Sequence, residues 1–184
     1  SLQKKDYEAL TAYFSEQAVI RYQARVEEAL LLSLITKGIA PAEAQTEIAH
    51  ALAELNPWEV YREEEKTRHN IRALVRILAD KVAPHIKPYP HLTATSMDIV
   101  DTAASLRYKE AQEKLIGPAL KEVLELLWIL ARREKDTPQI GRTHGQHAVP
   151  LTFGFAVAGF LDRLGRAYQD MQMRADSFVG KMAG

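Results

Sequence analysis

The 184-residue sequence contains no cysteine. That excludes disulfide bridges, zinc–thiolate centres and a thiolate nucleophile. Neither sign of charge is in excess: 24 Lys and Arg face 24 Asp and Glu, for a formal net charge of +0. Nothing in that balance draws the chain to nucleic acid or to an anionic membrane, so an anionic ligand must be held by a local site. Long apolar runs are missing too. The richest, Ala29–Ile35 interrupted by Ser33 and Phe153–Phe160, fall well short of the roughly 20 residues that crossing a bilayer takes. Neither a Rossmann nor a P-loop glycine motif occurs, which disfavours those nucleotide binders. No charged-then-apolar leader opens the chain. The expected setting is therefore cytoplasmic, with no membrane, no nucleic acid, no metal and no cofactor.

What is present is helix-forming sequence. With 47% hydrophobic and 26% charged residues, the chain can bury a core and keep a solvated surface. Ser15 reads as the N-cap of a long helix whose Val19, Tyr22, Val26 and Leu30 recur at helical spacing, closed by Gly38. Pro41 opens a short helix through about Leu55. Asn56-Pro57 starts another that the pattern carries to about Val82, polar through Glu63–Lys66 and apolar at Ile71, Leu74, Val75 and Leu78. Pro84, Pro88 and Pro90 break the pattern over 83–94. Thr95 and Asp98 have the spacing of a capping box at the head of the next helix. Gly117-Pro118 kinks or interrupts that helix. Residues 135–151 read as a second irregular stretch, and a final helix starts at Thr152. No segment alternates as a strand would, and no internal repeat is seen. The expected class is all-α: an amino-terminal helical domain over 1–94, then the beginning of a long-helix bundle over 95–184. Amphipathic helices of that second part need apolar partners, from further along the polypeptide or from other subunits.

Polar residues gather at three places. Thr67-Arg68-His69-Asn70 sits within the helix predicted over 57–82. His91 to Asp98 forms a loop entering a helix. Gly141-Arg142-Thr143-His144-Gly145-Gln146-His147 is a glycine-flanked loop. Each has a plain structural reading. His69 fits a solvated helix histidine, and Thr95-Ser96 fits a helix cap. Two hydroxyls with unpaired N–H groups at a helix start also suit a carboxylate or phosphate. The third loop is harder to explain structurally, since a surface loop has little need for an Arg, two histidines and several donors together. A zinc site on His144 and His147 lacks a third ligand.

These segments carry a family resemblance. Gly141-Arg142-Thr143-His144-Gly145-Gln146-His147-Ala148-Val149-Pro150-Leu151-Thr152-Phe153-Gly154 closely resembles the corresponding loop of the adenylosuccinate lyase family, within the fumarase/aspartase superfamily. Thr95-Ser96-Met97-Asp98-Ile99-Val100-Asp101-Thr102-Ala103 resembles their Thr-Ser-x-Asp-Val-Val-Asp-Thr-Ala. Glu65-Lys66-Thr67-Arg68-His69 resembles their element carrying Glu, Thr and His, and the helix from Phe14 to Glu27 is similar to theirs. The resemblance implies β-elimination of fumarate from adenylosuccinate, giving AMP, and the same cleavage of the succinylated aminoimidazole carboxamide ribotide. It implies a homotetramer whose active sites draw on three subunits. By motif position it implies His144 as general acid and His69 assisting it. Thr95 and Ser96 would hold substrate carboxylates, with His91 near the nucleotide phosphate. Thr143 and Gln146 would bind substrate, and Arg142 would hold the loop or an anion.

The sequence departs from the family in two places. Asn70 stands where the family usually has Asp, so the negative charge that would favour an imidazolium at His69 is missing. The stretch near Gln3-Lys4 lacks the Arg-Tyr pair that family members use toward the phosphate. The flexible loop that supplies the family's catalytic base comes later than residue 184, so the chain alone is expected to be inactive. Argininosuccinate lyase and other superfamily lyases share the chemistry. A non-catalytic helical scaffold, such as a lens crystallin of this superfamily, is the alternative from another class.

Overall fold

The computed structural model describes residues 2–183 and is predominantly helical. Its elements are α1 (Leu2–Phe14), α2 (Glu16–Thr36), α3 (Ala44–Ala53), α4 (Pro57–Thr67), α5 (Asn70–Asp80), α6 (Ser96–Ala111), a π-helical turn (Gln112–Ile116), α7 (Gly117–Arg133), β1 (Pro138–Thr143), β2 (Gln146–Thr152) and α8 (Phe153–Asp176). They form two compact units, Ser1–Glu110 with Phe178–Gly184, and Ala111–Ser177. Among the described residues no helix is long and apolar enough to cross a membrane.

The first unit is organised by α2. The Ser15 side chain accepts from the N–H of Ala18 at 3.1 Å and starts the helix. Gly38, at φ +69°, takes the left-handed conformation that ends it. Between these caps α2 buries two faces. Leu30, Leu31 and Leu34 join Ile48 of α3, Val60 of α4 and Leu74 and Leu78 of α5 in one apolar cluster. Ala18, Tyr22 and Val26 join Ile71, Ile99 and Ala103 in a second.

The structure breaks the helix expected over 57–82. Arg68 turns left-handed (φ +54°) and His69 is extended (φ −156°), so α4 and α5 fold back as a hairpin. Glu63 of α4 meets Arg76 of α5 at 2.9 Å across it. The reason is the buried stripe: folding back lays Ile71, Leu74 and Leu78 against α2, whereas a straight helix would carry them away from it. His69 is thus an N-cap and not a mid-helix residue. At the head of α6 half of the expected capping box forms: the Thr95 N–H donates to Asp98 Oδ2 at 2.9 Å.

The second unit is a helical pair with a β-hairpin between its members. Pro118 lacks the N–H of a regular turn, and the chain answers with the π-helical turn ahead of it, where the Gly117 N–H reaches back to the Gln112 carbonyl. The irregular stretch expected over 135–151 is instead a two-stranded antiparallel sheet, in register Thr143↔Gln146 and Pro138↔Thr152 with an irregularity between Ile140 and Arg142. The intervening His144 and Gly145 have φ of 53° and 71°, the pair of positive values that a tight type I′ hairpin turn takes. Both strands are largely exposed: β1 alternates only between exposed and half-buried positions, and β2 is exposed as far as Pro150. The Thr152 side chain caps α8 by accepting from the Phe155 N–H at 3.1 Å. At Gly154 a Cβ would lie 2.4 Å from the Ala131 carbonyl oxygen, so α8 meets the end of α7 at glycine only.

Two outcomes check this packing. Leu31→Ala, at a fully buried position, is expected to lower the unfolding free energy by about 2–5 kcal/mol in a urea titration. A loss within experimental error would contradict the two-sided burial of α2. Gly154→Ala is expected to loosen the second unit alone, read as faster amide exchange in α7 and α8 with α2 unchanged.

Candidate functional site

His69 and Ser96 lie 27 positions apart in sequence, yet the His69 Nε2 is 3.3 Å from the Ser96 Oγ. The break at Arg68 makes this possible by placing His69 at the exposed end of α5, opposite the first residue of α6. The other ring nitrogen is already engaged: His69 Nδ1 accepts the N–H of Arg72 at 3.2 Å. A nitrogen accepting that bond carries no proton, so neutral His69 holds its proton on Nε2 and donates it to Ser96. The Ser96 hydroxyl proton is then directed elsewhere. The start of α6 is only partly available to a ligand, because the buried Asp98 already takes the Thr95 N–H. The hydroxyls of Thr95 and Ser96 are the groups left at the surface. Asn70 turns inward on its own backbone, with Oδ1 accepting the Ile71 N–H at 2.7 Å.

His91 lies in the same unit, on the bend between α5 and α6, with φ +65°. Its Nδ1 is 2.7 Å from Oε1 of Glu27, a residue of α2 that is 1% exposed. The hydrogen bond to Glu27 raises the His91 pKa above its ordinary 6.5, against the opposing effect of burial, with the charges of Glu27 and Asp98 adding to the rise. Glu27 is the residue that sequence reasoning missed. Its signal was a carboxylate on the apolar face of α2, between Val26 and Leu30.

The remaining candidates share the tip of the hairpin in the second unit. Arg142 and Thr143 end β1, His144 makes the turn, and Gln146 starts β2. Thr143 Oγ1 is 2.8 Å from His144 Nδ1. When the threonine donates there, His144 also carries its proton on Nε2, at the exposed edge of the ring. The left-handed turn projects His144 outward, and all four side chains are solvent-facing. Among the described residues no three His, Cys, Asp or Glu side chains gather as metal ligands.

Residues 3–184 match the family described as Lyase. The chain is 44% identical over 122 residues to the adenylosuccinate lyase of Pyrococcus abyssi, covering 66% of this chain and 27% of that protein. It is 34% identical over 172 residues to the adenylosuccinate lyase of Archaeoglobus fulgidus, covering 93% of this chain and 38% of that one. Among solved structures, a fumarate lyase from Mesorhizobium sp. BNC1 superposes with a TM-score of 0.84 at 31% identity, over 98% of this chain and 42% of the other. The chain spans about a third of the length of the curated relatives it matches.

Two measurements test this geometry. His69→Ala is expected to cost about 0.5–2 kcal/mol through the lost cap, and His69→Asp to recover most of it, in urea denaturation. Equal losses in both variants would show that the ring nitrogen does not cap α5. For His91 the raised pKa means that its pair with Glu27 stabilises the fold fully below 6.5 and less as pH climbs through the raised value. The stability gap between wild type and His91→Gln is therefore expected to shrink on going from acid to alkaline pH. A gap independent of pH would refute the pairing.

Proposed function

The chain belongs to the Lyase family, within the fumarase/aspartase superfamily, and from that we propose that it forms part of the working surface of an adenylosuccinate lyase. The reaction is β-elimination of fumarate from adenylosuccinate, giving AMP, and from the related succinylated ribotide of purine synthesis. The observation that carries the reading is the meeting of His69 and Ser96, two separated motifs of the family.

In the proposed mechanism a base removes the proton from the carbon beside a succinyl carboxylate, the carbon–nitrogen bond breaks, and the departing nitrogen takes a proton. His144 is the acid, giving the Nε2 proton while Thr143 holds Nδ1. A positioned acid of this kind contributes roughly 10²–10⁴ in rate. Ser96 and Thr95 hold the succinyl carboxylates, where negative charge grows as the proton leaves. His69 orients the Ser96 hydroxyl. In its capping conformation Nδ1 is taken by the Arg72 N–H, so the nitrogen facing Ser96 is Nε2. His91 meets the nucleotide phosphate, Gln146 binds substrate from the hairpin, and Arg142 braces the loop or an anion. The base comes from a segment outside these residues, so the chain alone is expected to give no turnover.

We also propose a homotetrameric, cytoplasmic enzyme with 1–94 as the amino-terminal domain and 95–184 as the beginning of the central bundle. Leu126 (62% exposed), Phe155 (70%) and Phe160 (59%) support the assembly, being large apolar side chains that α7 and α8 leave uncovered. A second reading is a superfamily lyase acting on a different succinyl compound; the observation favouring it is the stretch near Gln3-Lys4, which lacks the family's Arg-Tyr pair.

Residues 1–184 exchanged for the matching segment of the Archaeoglobus fulgidus enzyme provide the test. The chimaera is expected to release fumarate from adenylosuccinate. In it His144→Ala should lower kcat by roughly 10²–10⁴, and Ser96→Ala should raise KM. A folded chimaera that cleaves argininosuccinate instead selects the second reading, and one that cleaves neither leaves only a scaffold.

A further inference from the structure

Glu27 is a carboxylate inside an apolar helix face. It is 1% exposed, and its flanking positions on α2 feed the two apolar clusters. Oε1 meets His91 Nδ1 at 2.7 Å, while Oε2 is buried with no hydrogen-bond partner among the described residues. A carboxylate in such a place is strongly disfavoured unless a cation neutralises it. His91 is the group that can do so. A neutral ring donating through Nδ1 would satisfy the hydrogen bond but leave the charge; an imidazolium satisfies both. In the charged form the Nε2–H is the ring's second donor, and Nε2 has no hydrogen-bond partner among the described residues. The side chain of His91 is 24% exposed, so the ring reaches the surface while its partner does not. The backbone of His91 adds to the constraint: at φ +65° the residue holds an uncommon conformation that the surrounding bend must enforce. The charges acting on the ring come from Glu27 on α2 and Asp98 on α6, both acidic and both buried.

We infer that Glu27 is a positioning residue: by gripping Nδ1 it fixes the direction of the His91 ring and keeps it a cation whose Nε2–H is offered to an anionic group of the substrate. The inference rests on the functional reading above for its second half, the meeting with substrate, but not for the first. It assigns a catalytic-site duty to a residue with no surface of its own. A buried carboxylate of this kind supplies both orientation and charge, the two things an exposed histidine on a bend cannot secure for itself.

The test is histidine titration by ¹⁵N NMR on the wild-type chain, Glu27→Gln and Glu27→Asp, with inorganic phosphate as the anionic probe. In the wild type, His91 is expected to stay protonated above the ordinary histidine range. In Glu27→Gln it should titrate at or below that range, and in Glu27→Asp between the two, while His69 and His144 do not move. At neutral pH phosphate should shift the wild-type His91 signals saturably, with an affinity about tenfold weaker in Glu27→Gln, the scale of one lost charged contact. A wild-type His91 that titrates as a free histidine, or a folded Glu27→Gln in which its titration is unchanged, overturns the inference. Glu27→Asp decides the matter if Glu27→Gln does not fold. If His91 titrates as expected but phosphate leaves it unmoved, the anion-gripping half is overturned, whatever the chimaera does with adenylosuccinate.

Discussion

The first unit depends on one constraint, that α2 must be buried along two faces at once. Leu31 and Leu34 commit one face to α3, α4 and α5, and Ala18, Tyr22 and Val26 commit the other to α5 and α6. A helix pinned on both sides cannot rotate without exposing one apolar stripe or the other. That rigidity sets the heads of α5 and α6 relative to each other, which is where His69 and Ser96 meet. It also places Glu27 where water cannot reach it. The polar geometry of the site is a by-product of an apolar fit.

His69 and His91, two of the histidines of this unit, are engaged differently by their surroundings. His69 is recruited by a backbone N–H, which in the neutral ring leaves the proton on Nε2. His91 is recruited by a buried carboxylate, which favours the charged ring. The unit thus offers two kinds of donor, one that orients a hydroxyl and one backed by a buried carboxylate.

The second unit follows a different logic. Its helical pair covers only part of its apolar surface, with Leu126, Phe155 and Phe160 exposed. Its hairpin draws little from burial and much from turn chemistry. Gly145 removes the steric cost at one left-handed position, while His144 accepts the other. A histidine held at positive φ is uncommon, and strain of this kind concentrates at working sites. The conformation that makes His144 costly is also the one that projects it from the tip.

Much of this protein was legible in its sequence. Periodicity and caps located α2, α3, α6, α7 and α8, because helical amphipathicity and Ser15, Pro57 and Thr152 act locally. The polar motifs at 69, 95 and 144 were visible as clusters of residue types, although His69 and Thr95-Ser96 also had plain structural readings. Other features were not legible, each for a physical reason. The break at Arg68 arises because Ile71, Leu74 and Leu78 find their partner on α2, far along the chain. The β-hairpin has exposed strands, so no alternation advertised it, and only the turn geometry of His144-Gly145 defines it. Glu27 gains its meaning from His91, 64 positions away. The sequence by itself determined most of the helical segments and the caps at Ser15, Asn56 and Thr152, since those follow from neighbours within a turn or two. Only the tertiary structure decided which of those side chains meet and which protons they hold, since contact and burial depend on segments that sequence order keeps apart.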